Sequence, residues 1–217
     1  MSESGEHWEG IYATAPSTQL SWYEREPVTS LRLVEEIAAG PSAAVIDIGA
    51  GTSVLCDRLL AAGFRDVTVL DISFHAVDEV RQRLGERADR VTFLVQDVLA
   101  WEPARQYDVW HDRAVFHFLT EPSRRDKYIN LAARSIRVGG ALVLATFADD
   151  GPTHCSGLPV LRCSAQDLAG SFSAFFTLVH HEREMHTTPA RVLQPFTWVV
   201  LRRTLPGSPQ YPPEGVE

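Results

Sequence analysis

Apolar positions along the chain follow two rhythms, one helical and one extended, and the two alternate. Between Ser30 and Ala39 the residues Leu33, Val34, Ile37 and Ala38 recur at helical spacing, Thr29 or Ser30 can cap, and Gly40 can stop the helix. The run AAVIDI (43–48) is almost wholly apolar, as a strand buried on both faces should be. Ser53 can then cap a helix that carries Leu55, Leu59 and Leu60 and ends at Gly63. The cycle repeats with the strand DVTVLD (66–71) and a helix opened by Ser73, lined by Val77, Val80 and Leu84, and closed by Gly85. RVTFLVQ (90–96) and YDVWHD (107–112) read as a third and fourth strand. A helix with Pro122 in its first turn is expected to run to about Arg137, followed by a fifth strand, GGALVLATF (139–147).

Strands alternating with helices imply a parallel sheet with right-handed crossovers. The end of the chain breaks the rule. FFTLVHHERE (175–184) and QPFTWVVLRR (194–203) are separated only by a short MHTTPARVL connection, which suits an antiparallel hairpin. No internal repeat or second domain is visible, so residues 1–204 are expected to form one domain. Residues 205–217, rich in Pro and Gly, read as a disordered tail.

Composition narrows the function. With 217 residues, 45% hydrophobic and 22% charged, the chain is an ordinary soluble globular protein. A net charge of −8 with scattered basic residues argues against a nucleic-acid partner. The start MSESGEHWEG lacks the basic and apolar regions of a secretory leader, and no apolar run could span a bilayer, so a cytoplasmic protein without a membrane partner is expected. Cys56, Cys155 and Cys163 form no CxxC pair, indicating reduced thiols and no metal site.

The chemistry concentrates in VIDIGAGTSVL (45–55). Gly49 and Gly51, flanking Ala50, would let a nucleotide-like cofactor approach bare backbone beyond the strand ends. The third glycine of a dinucleotide fingerprint is replaced by Val54, which disfavours NAD. Asp71, followed by Ile72 at the end of the second strand, could take both ribose hydroxyls, and Asp47 suits a cationic amino group. Two plainer readings stand beside these: the glycines as a tight turn, and Asp97 as a cap or turn residue.

This order of acid and glycines resembles motif I of the class I S-adenosylmethionine-dependent methyltransferases. FLVQD carries Asp97 and Val98 where that family holds adenine. DVWHDRAVFHFL matches its fourth strand and following loop, LAARSIRVGGALVLATF its next helix and fifth strand, and the closing hairpin its reversed seventh strand. Ser53 stands where many members have a third glycine. The resemblance implies a doubly wound α/β fold, a mostly parallel seven-stranded sheet with a reversed C-terminal strand in three αβα layers, and S-adenosylmethionine as cofactor. It implies cofactor contacts from Asp47, Gly49, Ala50, Gly51, Asp71, Ile72, Asp97, Val98, Asp112 and Trp22, the last from an aromatic lid over residues 1–28 that also carries Trp8, Tyr12 and Tyr23. The same rings could instead only staple the terminus to the core.

For the methyl acceptor, the fourth-strand loop offers His111, Asp112, Arg113 and His117, and the loop after the fifth strand offers Cys155 beside His154 and Ser156. Arg113, His117 and Cys155 are the catalytic candidates, with structural roles open for the histidines and packing roles for Cys155 and Cys163. His181 and His186 lack a metal-ligand triad. The aromatic lid and compact chain look like small-molecule methyltransferases of the thiol type. A thiol, with a pKa near about 8.5, needs little base catalysis. The expected function is methyl transfer to a small molecule, a thiol or sulfide being favoured, by a monomer or homodimer. Asp112–Arg113 also resembles the "DK" pair of seven-β-strand lysine methyltransferases, and a non-catalytic cofactor-binding module is the third alternative.

Overall fold

A computed structural model describes residues 3–205 of the chain. The tail expected to be disordered lies, from residue 206 onward, outside the described residues. Helix α1 (Glu3–Thr14) and a short turn precede α2 (Val28–Ile37), and the αβ alternation then runs β1 (Ala44–Ile48), α3 (Leu55–Ala61), β2 (Asp66–Asp71), α4 (Phe74–Leu84) and β3 (Val91–Val95). It continues with β4 (Tyr107–Arg113), α5 (Pro122–Ser135) and β5 (Ile136–Phe147). Two-residue strands β6 (His154–Cys155) and β7 (Leu158–Pro159) make a small hairpin before α6 (Ala165–Phe172), β8 (Phe176–Thr187) and β9 (Leu193–Arg203). Among the described residues no helix is long and apolar enough to cross a membrane.

The seven-stranded sheet has the order β3-β2-β1-β4-β5-β9-β8. Strands β1 to β5 pair in parallel, while β9 lies antiparallel to both β5 and β8. The sheet is therefore doubly wound with a reversed last strand. Strand parity sorts its core into two. Val45, Val69, Val143 and Trp198 pack with Leu33 of α2, Leu59 of α3 and Val80 of α4. Ile46, Trp110, Leu144 and Val199 pack on the other face with Tyr128 of α5 and Phe172 of α6. Every residue of β1 is buried, including Asp47, which accounts for a run that is apolar at all positions but that one.

The helix ends differ from the sequence expectation in three places. Helix α2 starts at Val28 with Pro27 at its N-cap, so Ser30 is a buried helix residue and not the cap. Ser53 lies one residue before the N-cap of α3, which Val54 occupies, and its hydroxyl accepts from the Leu55 N–H at 3.1 Å. Helix α5 ends at Ser135 because Ile136 already pairs with Tyr107 in the sheet. Ser73 does cap α4, accepting from the Ala76 N–H, and Gly85 closes it at φ 56°. Helix α6 opens with a capping box of Ser164 and Asp167.

Candidate functional site

Strand β1 lies between β2 and β4, where the chain's winding reverses, and a crevice opens there beyond the carboxyl ends of the strands. It holds a cavity of ≈ 310 Å³ that reaches from Gly49, Asp71 and Ile72 past Asp97 and Val98 to Phe118, Cys155 and Leu158. A smaller cavity of ≈ 50 Å³ adjoins Asp47, Ala50, Thr52, Glu24 and His111. Tyr12, Trp22, Gly49 and Arg113 line both and so form the wall between them.

The turn after β1 explains its glycines. Gly49 and Gly51 adopt φ of +60° and +53°, and a Cβ on either would overlap the Val115 side chain or the Tyr12 hydroxyl respectively. Asp71 braces this turn from the next strand. Its Oδ2 accepts from the Gly51 N–H at 2.7 Å and its Oδ1 from the Ser73 N–H at 2.8 Å. Burial pushes the carboxyl up to about 6 in spite of these bonds. From outside, Arg83 of α4 donates to the carbonyls of Thr52 at 2.8 Å and Ser53 at 2.6 Å while pairing with Asp57 at 2.9 Å. No local pattern in the sequence announces Arg83, which reaches the turn from some thirty residues away.

Asp47 and His111 face each other in register across β1 and β4, with the ring Nδ1 2.7 Å from Asp47 Oδ1. Both side chains are buried, and His111 Nε2 has no hydrogen-bond partner. Arg113, two residues on and on the same face, donates from Nη1 to the carbonyl of Trp22 at 3.1 Å and places Nη2 3.2 Å from Glu24. Its guanidinium stacks on Phe196 at 4.7 Å. The Ser21 carbonyl meets His186 Nε2 at 2.7 Å, so β4 and β8 both grip the segment 21–24. Burial raises the Glu24 carboxyl although Arg113 opposes the shift.

The N-terminal segment supplies much of the cavity wall. Trp8 contacts Phe118 edge to face at 5.0 Å and Trp22 at 5.8 Å. Glu9 ties α1 to the start of α4: it accepts from the Ser73 hydroxyl at 2.6 Å and lies 2.5 Å from His75 Nδ1.

The structure thus gathers Asp47, Gly49, Ala50, Gly51, Asp71, Ile72, Asp97, Val98, Trp22, Arg113 and Cys155 around the two cavities. Asp97 also accepts from the Leu99 N–H at 2.9 Å, so its turn role and its place on the cavity coexist. Asp112 and His117 are not brought there. Asp112 has the opposite parity to His111 and points to the α5 face, where it accepts from the Val115 N–H at 2.8 Å and from the Tyr128 hydroxyl, and burial lifts it to about 6. His117 is buried between Phe118 and Phe147 with neither ring nitrogen partnered, and burial pulls its pKa down to about 3. Burial also raises the Cys155 thiol, so the group stays protonated. Glu24 was not singled out in the sequence because only the fold brings it beside Arg113. His111 could have been preferred to Asp112 from strand parity alone, since it aligns with Asp47.

A glycine turn and strand-end carboxylates at a switch-point crevice define an α/β protein built to hold a nucleoside-type cofactor. Residues 45–140 match the family described as a methyltransferase domain. Over those residues the chain matches a methyltransferase domain, and its fold is that of the class I S-adenosylmethionine-dependent methyltransferases. It is 28% identical to the mouse (Mus musculus) eEF1A lysine and N-terminal methyltransferase over 154 residues, which make up 67% of this chain and 22% of that protein. A solved structure described by the conversion of a disulfide bond into a thioacetal group during echinomycin biosynthesis superposes with a TM-score of 0.73 at 22% identity, covering 92% of this chain and 93% of the other. The Burkholderia thailandensis 1,6-didemethyltoxoflavin-N1-methyltransferase, with S-adenosylhomocysteine bound, gives a TM-score of 0.67 at 21% identity over 93% of this chain and 84% of that one. The last two likenesses show the shared fold.

Proposed function

We propose that the protein methylates the sulfur of a small-molecule thiol, using S-adenosylmethionine. The residues fit that cofactor. Each Asp71 oxygen accepts one backbone N–H and keeps a lone pair for a ribose hydroxyl. Asp97 and Val98 would flank adenine, and Asp47 with the glycine turn would hold the amino-acid end. When bound, the cofactor supplies a methyl group on a positively charged sulfur.

The observation that carries the acceptor reading is that, among the described residues lining the larger cavity, none is left free to act as a general base. The ionisable side chains on the larger cavity are Asp71, Asp97, Tyr12, Cys155, Arg113 and Arg124. The two carboxylates are assigned to the cofactor. Tyr12 and Cys155 are raised by burial and hold their protons, and the guanidiniums cannot accept one. A hydroxyl or an ammonium would find nothing to take its proton, whereas a thiol reaches the site partly ionised. Trp8, Trp22 and the rest of the N-terminal segment would act as a lid that keeps water from the reacting atoms. The thioacetal-forming structural relative, whose description also concerns sulfur, agrees with this reading.

The test is release of S-adenosylhomocysteine with sulfide, methanethiol or an aryl thiol against a no-acceptor control. Turnover with a thiol supports the proposal, and cofactor binding without turnover on any of them overturns it. The Asp112–Arg113 pair and the mouse relative favour a second reading, protein-lysine methylation. A discrete labelled band from cell lysate and radioactive cofactor would support that one instead.

A further inference from the structure

We propose that the acceptor thiol carries an apolar body, an alkyl or aryl group seated on Trp8, Phe118 and Leu158, an inference that rests on the thiol reading above. With Gly49, Asp71, Ile72, Asp97 and Val98 given to the cofactor, much of the remaining cavity wall comes from three elements. These are α1 with Trp8, the loop after β4 with Val115, Phe118 and Leu119, and the β6–β7 hairpin with Cys155 and Leu158. The hairpin is a fixed support. Ser156 and Gly157 adopt left-handed φ of 51° and 78°, as the two central residues of a tight primed turn do. Cys155 and Leu158 are therefore directly paired, share one side of the hairpin, and both reach the cavity. Its base is held by the Leu161 N–H, which donates to the His117 carbonyl at 2.8 Å, and the Cys163 N–H, which donates to the Phe147 carbonyl at 3.0 Å. This wall offers a buried polar group no partner. Burial keeps the Cys155 thiol protonated, and Arg113 is engaged by the Trp22 carbonyl and Glu24. Apart from Asp71 and Asp97, no described residue lining the cavity is an acid, and the polar neighbours Ser4, Thr120 and Arg124 are half-buried or exposed and so meet water. An acceptor body gains there by the apolar area it covers, and a charged or hydroxylated one is penalised for its lost hydration.

The experiment gives the full chain S-adenosylmethionine with ethanethiol, 1-propanethiol, 1-butanethiol or 2-mercaptoethanol, the last matching 1-propanethiol in size with a hydroxyl in place of its methyl group. In the wild type kcat/KM should rise roughly four-fold with each added methylene. 2-Mercaptoethanol should be about ten-fold or more poorer than 1-propanethiol. Leu158→Asn should lower the 1-butanethiol value by about ten-fold and flatten the series, whereas Leu158→Met should keep its slope. In parallel, calorimetry measures binding of the same thiols to the S-adenosylhomocysteine complex, where no turnover occurs. Far-ultraviolet circular dichroism establishes that each variant is folded.

Thiols methylated with a kcat/KM that is flat along the series, or 2-mercaptoethanol used as well as 1-propanethiol, overturns the inference while thiol methylation stands. A rising series that Leu158→Asn leaves as steep as before overturns the assignment of the body to the hairpin. If no thiol is methylated, the proposed function falls. The apolar seat then survives only where the thiols still bind the S-adenosylhomocysteine complex more tightly with each methylene, and absence of that trend overturns both.

Discussion

A carboxylate buried beneath a turn resists ionisation, and Asp71, raised to about 6, is in that position. Its raised pKa gives the free protein stability that is fully present below the ordinary aspartate value and is lost as pH rises through about 6. Cofactor binding should run the other way, since accepting from two ribose hydroxyls requires the ionised form. S-adenosylhomocysteine affinity, measured by calorimetry, should therefore fall as pH drops below about 6, and Asp71→Asn should flatten that profile. At neutral pH Asp71→Ala should weaken binding by roughly ten-fold or more. Asp112 carries the same stability sign, but it faces α5 and should leave the binding profile unchanged. His117 gives a further prediction: a buried ring with two unpartnered nitrogens costs about 1–3 kcal/mol, so His117→Leu should stabilise the protein in urea unfolding and spare cofactor affinity. A ten-fold loss of turnover in that variant would restore a catalytic histidine.

At the level of elements, α1 is joined to the sheet's own machinery. Glu9 sits at the N-terminal end of α4, where the helix favours an anion, and holds Ser73, which itself caps that helix and donates its N–H to Asp71. Glu9→Ala should free α1, seen as faster proteolysis of the N-terminal segment and a several-fold weaker hold on cofactor, with little change in global stability. Arg83→Met should act on the other side of the crevice, loosening the glycine turn and raising the dissociation constant of S-adenosylhomocysteine. The alternation of βα units was readable because each element advertises itself within ten or so residues. Helix α6 carries its own signal, the Ser164–Asp167 capping pattern, but the polar residues of the preceding loop mask it. The exact helix starts were not, because Pro27 and Val54 outcompete nearby serines only once the tertiary positions of those serines are fixed.

For the whole molecule, what the sequence revealed and what it hid divide along chain distance. Asp47, Gly49 and Gly51 lie in one short motif, and Asp71 and Asp97 at strand ends that the alternation locates, so their place at the crevice could be read. Glu24 meeting Arg113, Ser21 meeting His186 and Arg83 reaching Thr52 join residues from distant parts of the chain and became visible only in the fold. His117 shows the reverse error: its closeness to the fourth strand suggested chemistry, but the turn after β4, with Ala114 at φ 75°, carries it into the core.

The strand order also has a consequence for how the chain matures. Because β9 fills the space between β5 and β8, the apolar edge of β5 stays uncovered on the ribosome until residues 193–203 have emerged. During that interval the nascent protein displays the flank of GALVLATF, an open template on which another chain could grow a strand. Strand β8 reaches the sheet only through β9, so aggregation during synthesis should be governed by how fast β9 covers that edge.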